Sequence, residues 1–502
     1  MSQRISDSTL SMLSSFVASQ MGLIFPRERW SDLEKGMLAA APHFGFSDAG
    51  ECIRWLMSAP LTRPQVEILA GFLTVGESYF FRDPQSFKAV ETEILPRLLS
   101  SRRGKDQQLR IWSAGCSSGE EPYSLAILLH RMLPDLEQWR VTILGTDINP
   151  AALRHGTAGV YGKWSFRGTP PWLKSLYFTA AEEGRFRVIE PVRRLVSFEY
   201  LNLAEDSYPS LFTNTNAMDL IFCRNVLMYF TREMVRTVVA KLYRSLVEEG
   251  CLVVGPVEYW QESYQPLQAV SFDTVTFFRK RGGEPEATQE PASPAPQERA
   301  PVPTEPAARL PRRPEGRPLG GGQASSVTAQ PLYETAAQFY RQGLYPQAVA
   351  LLTGLSGREE ISLEAITMLI KAQANQGKLS EAMSLCEEAL KGNKLDPALH
   401  HLRAEILQEQ GEVEEARASL ERAIYLDPQL VLAHFALGNL ALWGGRKEKA
   451  RKHFQNALEL LGGSAPEEIL PGSEGMTAGR LREIILQITA APQGAEGKRS
   501  SG

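Results

Sequence analysis

Residues 109–124, reading LRIWSAGCSSGEEPYS, constrain this chain more than any other stretch. An apolar strand runs into a turn holding Gly115 and Gly119, then straight into a helix whose first turn carries Glu120, Glu121 and Pro122. Glycine allows a sharp bend and a close backbone approach to a ligand, and acids with proline suit a first helical turn. Such a strand-turn-helix junction is how an open α/β sheet builds a nucleotide-type pocket. Two carboxylates there would repel a pyrophosphate but suit an ammonium group or ribose hydroxyls. The expected ligand is therefore S-adenosylmethionine rather than NAD.

Three later segments place chemistry at the same edge of such a sheet. The run from Trp139 to Asp147 reads as a second buried strand ending in an acid, where a carboxylate can accept bonds from both ribose hydroxyls. Asn149 before Pro150 reads as a helix N-cap with proline at N1, not as a ligand. The apolar runs that begin at Val196 and Met218 end in polar residues, so Asn202, Arg224 and Asn225 fall where an adenine or amino-acid moiety would sit. A helix from Thr231 to Glu248, a strand from Cys251 to Gly255 and an antiparallel last strand from Phe272 to Lys280 complete an expected seven-stranded, Rossmann-like α/β sheet.

The rest of the 502 residues cannot belong to one core, and several folding units are expected. A net charge of −4 argues against nucleic acid as the main partner. Five scattered cysteines without a CxxC pair fit reduced thiols, not a disulfide frame or a metal site. Neither a signal pattern nor a membrane-length apolar run is present, so the expectation is a cytoplasmic protein with no membrane insertion. Residues 281–328 hold ten prolines and no aromatic residue, which makes them a disordered linker. A flexible chain of that length spans about 40 Å, so the flanking parts are expected to be tethered rather than fused. Beyond it, Gly343, Gly377, Gly411 and Gly445 are spaced by 34 residues, as are Ala348, Ala382, Ala416 and Ala450, and Ala389, Ala423 and Ala457. Helix propensity explains one such row but not three in phase, and the pattern resembles the tetratricopeptide repeat. Four repeats are expected over 329–464, in units of 34 residues starting at 329, 363, 397 and 431. A capping helix at 476–490 and a disordered tail follow within 465–502. Residues 1–90 read as an N-terminal helical domain, whose Arg27, Arg29, Lys35, Arg54 and Arg63 are candidates for a basic docking face, with a solvated surface as the default.

Four ordered motifs then coincide: TVGESYFFRD at 74–83, the SAGCSSGEEPYS loop, Gly145-Thr146-Asp147-Ile148, and CRNVLMYF at 223–230. Together they resemble the CheR family of chemoreceptor glutamate methyltransferases over about residues 5–280. The resemblance implies an S-adenosylmethionine-binding domain over 91–280 with a small β insertion at about 161–195. It also implies that Ser78, Arg82, Glu121, Asp147, Asn202, Leu203, Arg224 and Asn225 contact the cofactor, with Arg82 and Tyr229 beside the transferring methyl group and no metal. Gly76 and Ser78 stand where the family commonly has Asn and Thr, so an amide contact is lost at Gly76. The implied substrate is the cytoplasmic helices of chemoreceptors, with an unidentified protein partner at the repeats. We identify no grip for a receptor C-terminal peptide in the insertion's Glu182-Glu183-Gly184-Arg185-Phe186, so the repeats are a candidate replacement for such docking. Two rival readings remain, a methyltransferase of another acceptor and a catalytically weak repeat scaffold; Gly76 keeps the second in play.

Overall fold

A computed structural model describes residues 5–105, 107–210, 213–281, 326–356, 362–473 and 476–490. The expected Pro-rich linker, apart from its two ends, and the expected tail at 491–502 lie outside the described residues.

The chain opens with α1 (Asp7–Met21), α2 (Trp30–Ala40), α3 (Ala49–Leu56) and α4 (Arg63–Leu73). Side-chain caps set the start of three of them, α1, α3 and α4. Ser6 accepts from the Thr9 N–H, Asp48 accepts from the Glu51 N–H, and Thr62 with Gln65 forms a capping box. Leu13, Val17, Met21, Leu33 and Met37 close the core between these helices. Helices α5 (Pro84–Ala89) and α6 (Leu95–Arg102), joined by a π turn, lead into the sheet.

The sheet region contains β1 (Gln108–Ala114), α7 (Glu120–Met132), β2 (Arg140–Asp147), α8 (Pro150–Ala158), β3 (Val160–Tyr161), α9 (Pro171–Tyr177), β4 (Phe178–Ala180), β5 (Phe186–Val188), α10 (Glu190–Arg193), β6 (Val196–Tyr200), β7 (Met218–Cys223), α11 (Arg232–Ser245), β8 (Leu246–Val254), β9 (Gln268–Phe272) and β10 (Val275–Arg279). Its strand order is β6-β2-β1-β7-β8-β10-β9, parallel from β6 to β8. The order reverses beside β1, so β1, β2 and β7 converge their carboxyl ends on one crevice. The single last strand expected from Phe272 to Lys280 is instead a hairpin, β9 and β10, turning at Asp273 with φ 51°. Strands β3, β5 and β4 form the separate small insertion sheet.

The C-terminal region is four helix pairs: α12 (Ser326–Arg341) with α13 (Tyr345–Ser356), α14 (Leu363–Asn375) with α15 (Leu379–Gly392), α16 (Pro397–Gln410) with α17 (Val413–Leu426), and α18 (Val431–Trp443) with α19 (Lys447–Leu461). Gly343, Gly377, Gly411 and Gly445 make the intra-pair turns with φ between 71° and 79°, a conformation that favours glycine. The alanine rows are buried in the packing of the repeat helices. Helix α20 (Ala478–Ala490) covers the last pair, seating Leu481 and Ile485 on Phe454, Ala457 and Leu461.

The two parts are not merely tethered. The turns at Gly343, Gly377 and Gly411 lie along the amino-terminal edge of the sheet, where polar and cationic side chains cap exposed carbonyls at the repeat-helix ends. Arg244 donates to the Arg341 carbonyl at 2.9 Å, Arg140 to the Gln410 carbonyl at 2.6 Å, and Gln108 to the Glu409 carbonyl at 3.2 Å. Arg110, a cation inside β1, faces Glu409 at 3.8 Å with both side chains under one-tenth exposed, and Asn214 and Asn216 also bind it. Arg480 of α20 pairs with Glu205. No helix among the described residues is long and apolar enough to cross a membrane.

Candidate functional site

One cavity of about 260 Å³ opens where the carboxyl ends of β1, β2 and β7 meet the N-terminal helices. Ser78, Arg82, Glu121, Asp147, Asn202, Leu203, Arg224, Asn225 and Tyr229, widely separated in sequence, all line it.

Two glycines shape the loop after β1, bending it as the sequence suggests, with φ 80° at Gly115 and 91° at Gly119, and Gly115 lines the cavity. A Cβ on Gly115 would lie 2.2 Å from Val226 Cγ2; a Cβ on Gly119 would lie 2.8 Å from the Phe198 ring. A side chain at either position would therefore collide with β6 or with the loop after β7, a second demand for glycine beside the bend. The two acids also part company. Glu121 faces the cavity, accepting from Ser113 Oγ at 2.8 Å and pairing with Arg224 at 3.4 Å. Glu120 turns away and accepts from Ser118 and from Ser165 of the insertion.

Asp147 holds the loop as well as lining the cavity. Its oxygens accept from the Ser117 N–H at 2.8 Å and the Asn149 N–H at 2.9 Å. Burial pushes its carboxyl up from the ordinary range, with those N–H bonds opposing. Burial likewise raises Glu121, and Arg224 opposes it most. The Cys116 thiol is pushed well up by burial and by the Asp147 and Glu121 charges, which keeps it protonated and unreactive. Asn149 caps α8 through Ala151 and Ala152, the cap role its sequence implies.

On the opposite wall, Arg224 is pinned by Glu121, by Asp83 at 3.5 Å and by the Arg82 carbonyl at 2.8 Å. Asn202 is buried, accepting from the Ala204 N–H and donating to the Gln20 carbonyl. The Leu203 carbonyl accepts from Tyr208 and Lys241. Arg82 donates to the Glu77 carbonyl at 2.7 Å and has no ion pair among the described residues, Glu77 and Asp83 pairing instead with Arg167 and Arg224. Gly76 has room for a side chain, the nearest atom to a Cβ being Ser117 Oγ at 3.7 Å.

Several lining residues escape sequence reasoning. Met21, Leu23, Phe25 and Arg29 come from the N-terminal helical region, and the Arg29 guanidinium lies 5.4 Å from the Tyr229 ring centroid. The five basic residues there do not form one face. Arg63 is buried against Glu67 and the Tyr200 ring, Arg27 pairs with Asp7, and Lys35 and Arg54 are exposed. Glu258, fully buried behind the cavity, accepts four backbone N–H groups. Its only sequence signal is an acid just past the end of β8.

Two buried polar atoms in the cavity wall, Ser117 Oγ and Arg224 Nε, have no hydrogen-bond partner among the described residues. Orphaned polar atoms beside an acid-lined crevice fit a polar, partly cationic ligand carrying sugar hydroxyls. Among the described residues no three His, Cys, Asp or Glu side chains are grouped to hold a metal ion.

The family model described as CheR methyltransferase, SAM binding domain, matches residues 76–276, and two tetratricopeptide-repeat models match 339–406 and 404–442. The chain is 30% identical to the chemotaxis protein methyltransferase of Borreliella burgdorferi, covering 51% of this chain and 89% of that one. It is 37% identical to chemotaxis protein methyltransferase 1 of Pseudomonas aeruginosa, over 38% of this chain and 69% of that one. The probable biofilm formation methyltransferase WspC of the same organism is 29% identical over 74% of this chain and 81% of its own. S-adenosylmethionine is accordingly the methyl donor. The chain belongs to the CheR family of chemotaxis protein methyltransferases, with tetratricopeptide repeats following its methyltransferase region.

Proposed function

We propose that this protein transfers methyl groups from S-adenosylmethionine to glutamate side chains on the cytoplasmic helices of chemoreceptors, while its repeats dock a protein partner. The observation that carries the reading is Arg82: a guanidinium in the cavity wall with a fork of donors and no ion-paired carboxylate among the described residues.

Ser78, Arg82, Glu121, Asp147, Asn202, Leu203, Arg224 and Asn225 would hold the donor, Asp147 through the ribose hydroxyls and Glu121 through a cationic group. Bound there, the donor supplies a methyl group on a positively charged sulfur. A glutamate side chain, with an ordinary pKa of about 4.3, is already a carboxylate at neutral pH, so the site needs no general base. Arg82 aligns its two oxygens, and Tyr229 offers a hydroxyl to one of them. Met21, Leu23, Phe25, Leu73 and Phe230 exclude water from the same cavity. The reaction cancels an anion against a cation, so an apolar wall that strips the carboxylate of water favours the less charged transition state. Positioning and desolvation then supply most of the rate.

The docked repeats set one limit on the partner. Three of their four intra-pair turns face the sheet edge, so the partner uses another face of the solenoid. Incubation with a purified receptor cytoplasmic fragment, followed by peptide mapping, tests the acceptor. Methyl esters on glutamate are expected. Modification of another side chain, or none despite donor binding, would refute the reading.

A further inference from the structure

The loop that follows β7 carries three of the cavity residues, Arg224, Asn225 and Tyr229, and its backbone does not hold itself in place. Asn225 has φ 58°, the left-handed region that a side-chain-bearing residue adopts only when its surroundings enforce it. The Asn225 and Val226 N–H groups point away from the cavity, and with the Met228 N–H they converge on a single side chain. Glu258 Oε2 accepts from Asn225 at 2.7 Å, and Oε1 accepts from Val226 at 2.7 Å and from Met228 at 3.2 Å. A fourth bond, from the Gly255 N–H to Oε2 at 2.8 Å, fixes the carboxylate to its own turn. The Tyr264 hydroxyl donates to the Glu258 carbonyl at 2.7 Å and anchors the backbone behind it. Gly255 leaves the space for this arrangement, because a Cβ there would meet Glu258 Oε2 at 2.5 Å.

We propose that Glu258 is the positioning residue of the methyl-transfer site, setting the loop 224–229 through its three bonds to backbone N–H groups. The proposal rests on the methyl-transfer reading above and adds to it a residue that does not itself line the cavity. A carboxylate suits the task better than any neutral group, because all four donors face acceptor lone pairs. Glutamine keeps the shape but turns an NH2 toward one pair of N–H groups, so two of the four bonds are lost with little change in volume. Aspartate keeps the charge and withdraws it by one methylene.

The test compares the full-length protein with Glu258→Gln and Glu258→Asp, each rate normalised to the sites that bind S-adenosylmethionine. With Glu258→Gln, kcat on a receptor cytoplasmic fragment is expected to fall about 100-fold while donor affinity changes less than about tenfold, as for a misplacement on the order of 1 Å. Glu258→Asp should fall between that variant and wild type. A role in folding alone would reduce the fraction of binding-competent sites and leave kcat per site unchanged. A second readout needs no acceptor. Amide hydrogen exchange at Val226 and Met228 should accelerate at least about tenfold in the variants relative to β1 amides. Rates per site within about threefold of wild type together with unchanged exchange would overturn the proposal. If the wild type itself methylates no receptor, the functional reading fails and the exchange measurement still decides the role of Glu258. If Glu258→Gln does not fold, Glu258→Asp decides it by the same two readouts.

Discussion

Adding one methyl group at Gly115 should destabilise the protein through a single neighbour. In Gly115→Ala the new Cβ would sit 2.2 Å from Val226 Cγ2 and 3.3 Å from both Val226 Cβ and Cγ1. The backbone at φ 80° costs an alanine about 1–2 kcal/mol, and the collision adds about 1–3 kcal/mol as overpacking. Val226→Ala deletes both γ carbons and leaves its own Cβ at the tolerable 3.3 Å. In that background Gly115→Ala should cost only the backbone part, about 1–2 kcal/mol. The double-mutant cycle therefore has a favourable coupling of about 1–3 kcal/mol. Urea-unfolding midpoints of the four proteins measure it, and calorimetric titration with S-adenosylmethionine shows whether affinity follows. If Gly115→Ala costs as much in the Val226→Ala background as it does beside the intact Val226, the collision is not the reason for the glycine. Selective loss of donor affinity without a stability change would return the glycine to its sequence-based role of close approach to the ligand.

Further outcomes follow from the same geometry. Gly76→Asn should tighten S-adenosylmethionine binding by about 2- to 10-fold, the worth of one hydrogen bond, since a Cβ there meets nothing nearer than Ser117 Oγ at 3.7 Å; weaker binding in a titration would contradict this. Glu409→Ala should weaken docking of the repeats on the sheet edge by about 1–3 kcal/mol, because it strips Arg110 of its carboxylate in a buried setting. Small-angle scattering should then report a larger radius of gyration, and an unchanged radius would refute the docked arrangement. The His401 ring is pulled down from 6.5 to about 4, chiefly by burial and secondly by Lys371. Its native state refuses a proton that the unfolded chain accepts, so stability is full above about pH 6.5 and falls as pH drops toward about 4, by about 3 kcal/mol in all. His401→Leu should flatten that part of the urea-midpoint profile, and an unaltered slope would count against the assignment.

The parts that the sequence made legible share a property: they are periodic or they end a strand. The 34-residue rows read directly as helix pairs, because each row marks one repeated packing problem, a tight turn or a helix contact. The cavity residues from the sheet were legible because polar groups past buried strands collect at one edge of a parallel sheet. The misses are tertiary. Arg110 lies inside a strand that reads as apolar, and its distant partners Glu409, Asn214 and Asn216 account for it. Glu120 and Glu121 look equivalent, yet successive residues on a helix point about 100° apart and only one can face the cavity. The linker composition argued for a free tether, but composition says nothing about whether the parts on either side have complementary surfaces. Glu258 carries no motif, because its partners are backbone N–H groups that any sequence supplies.

Transfer of labelled methyl from S-adenosylmethionine to chemoreceptor-containing membranes, followed by mild alkali, tests the central claim most directly. Wild type should deposit label that alkali releases as volatile methanol, the mark of a carboxyl ester. Arg82→Ala, assayed at donor concentrations that saturate it, should lose most of that release, on the order of 100-fold. Alkali-stable label, or equal release from Arg82→Ala, would contradict the account of a cavity built to align a carboxylate against the donor.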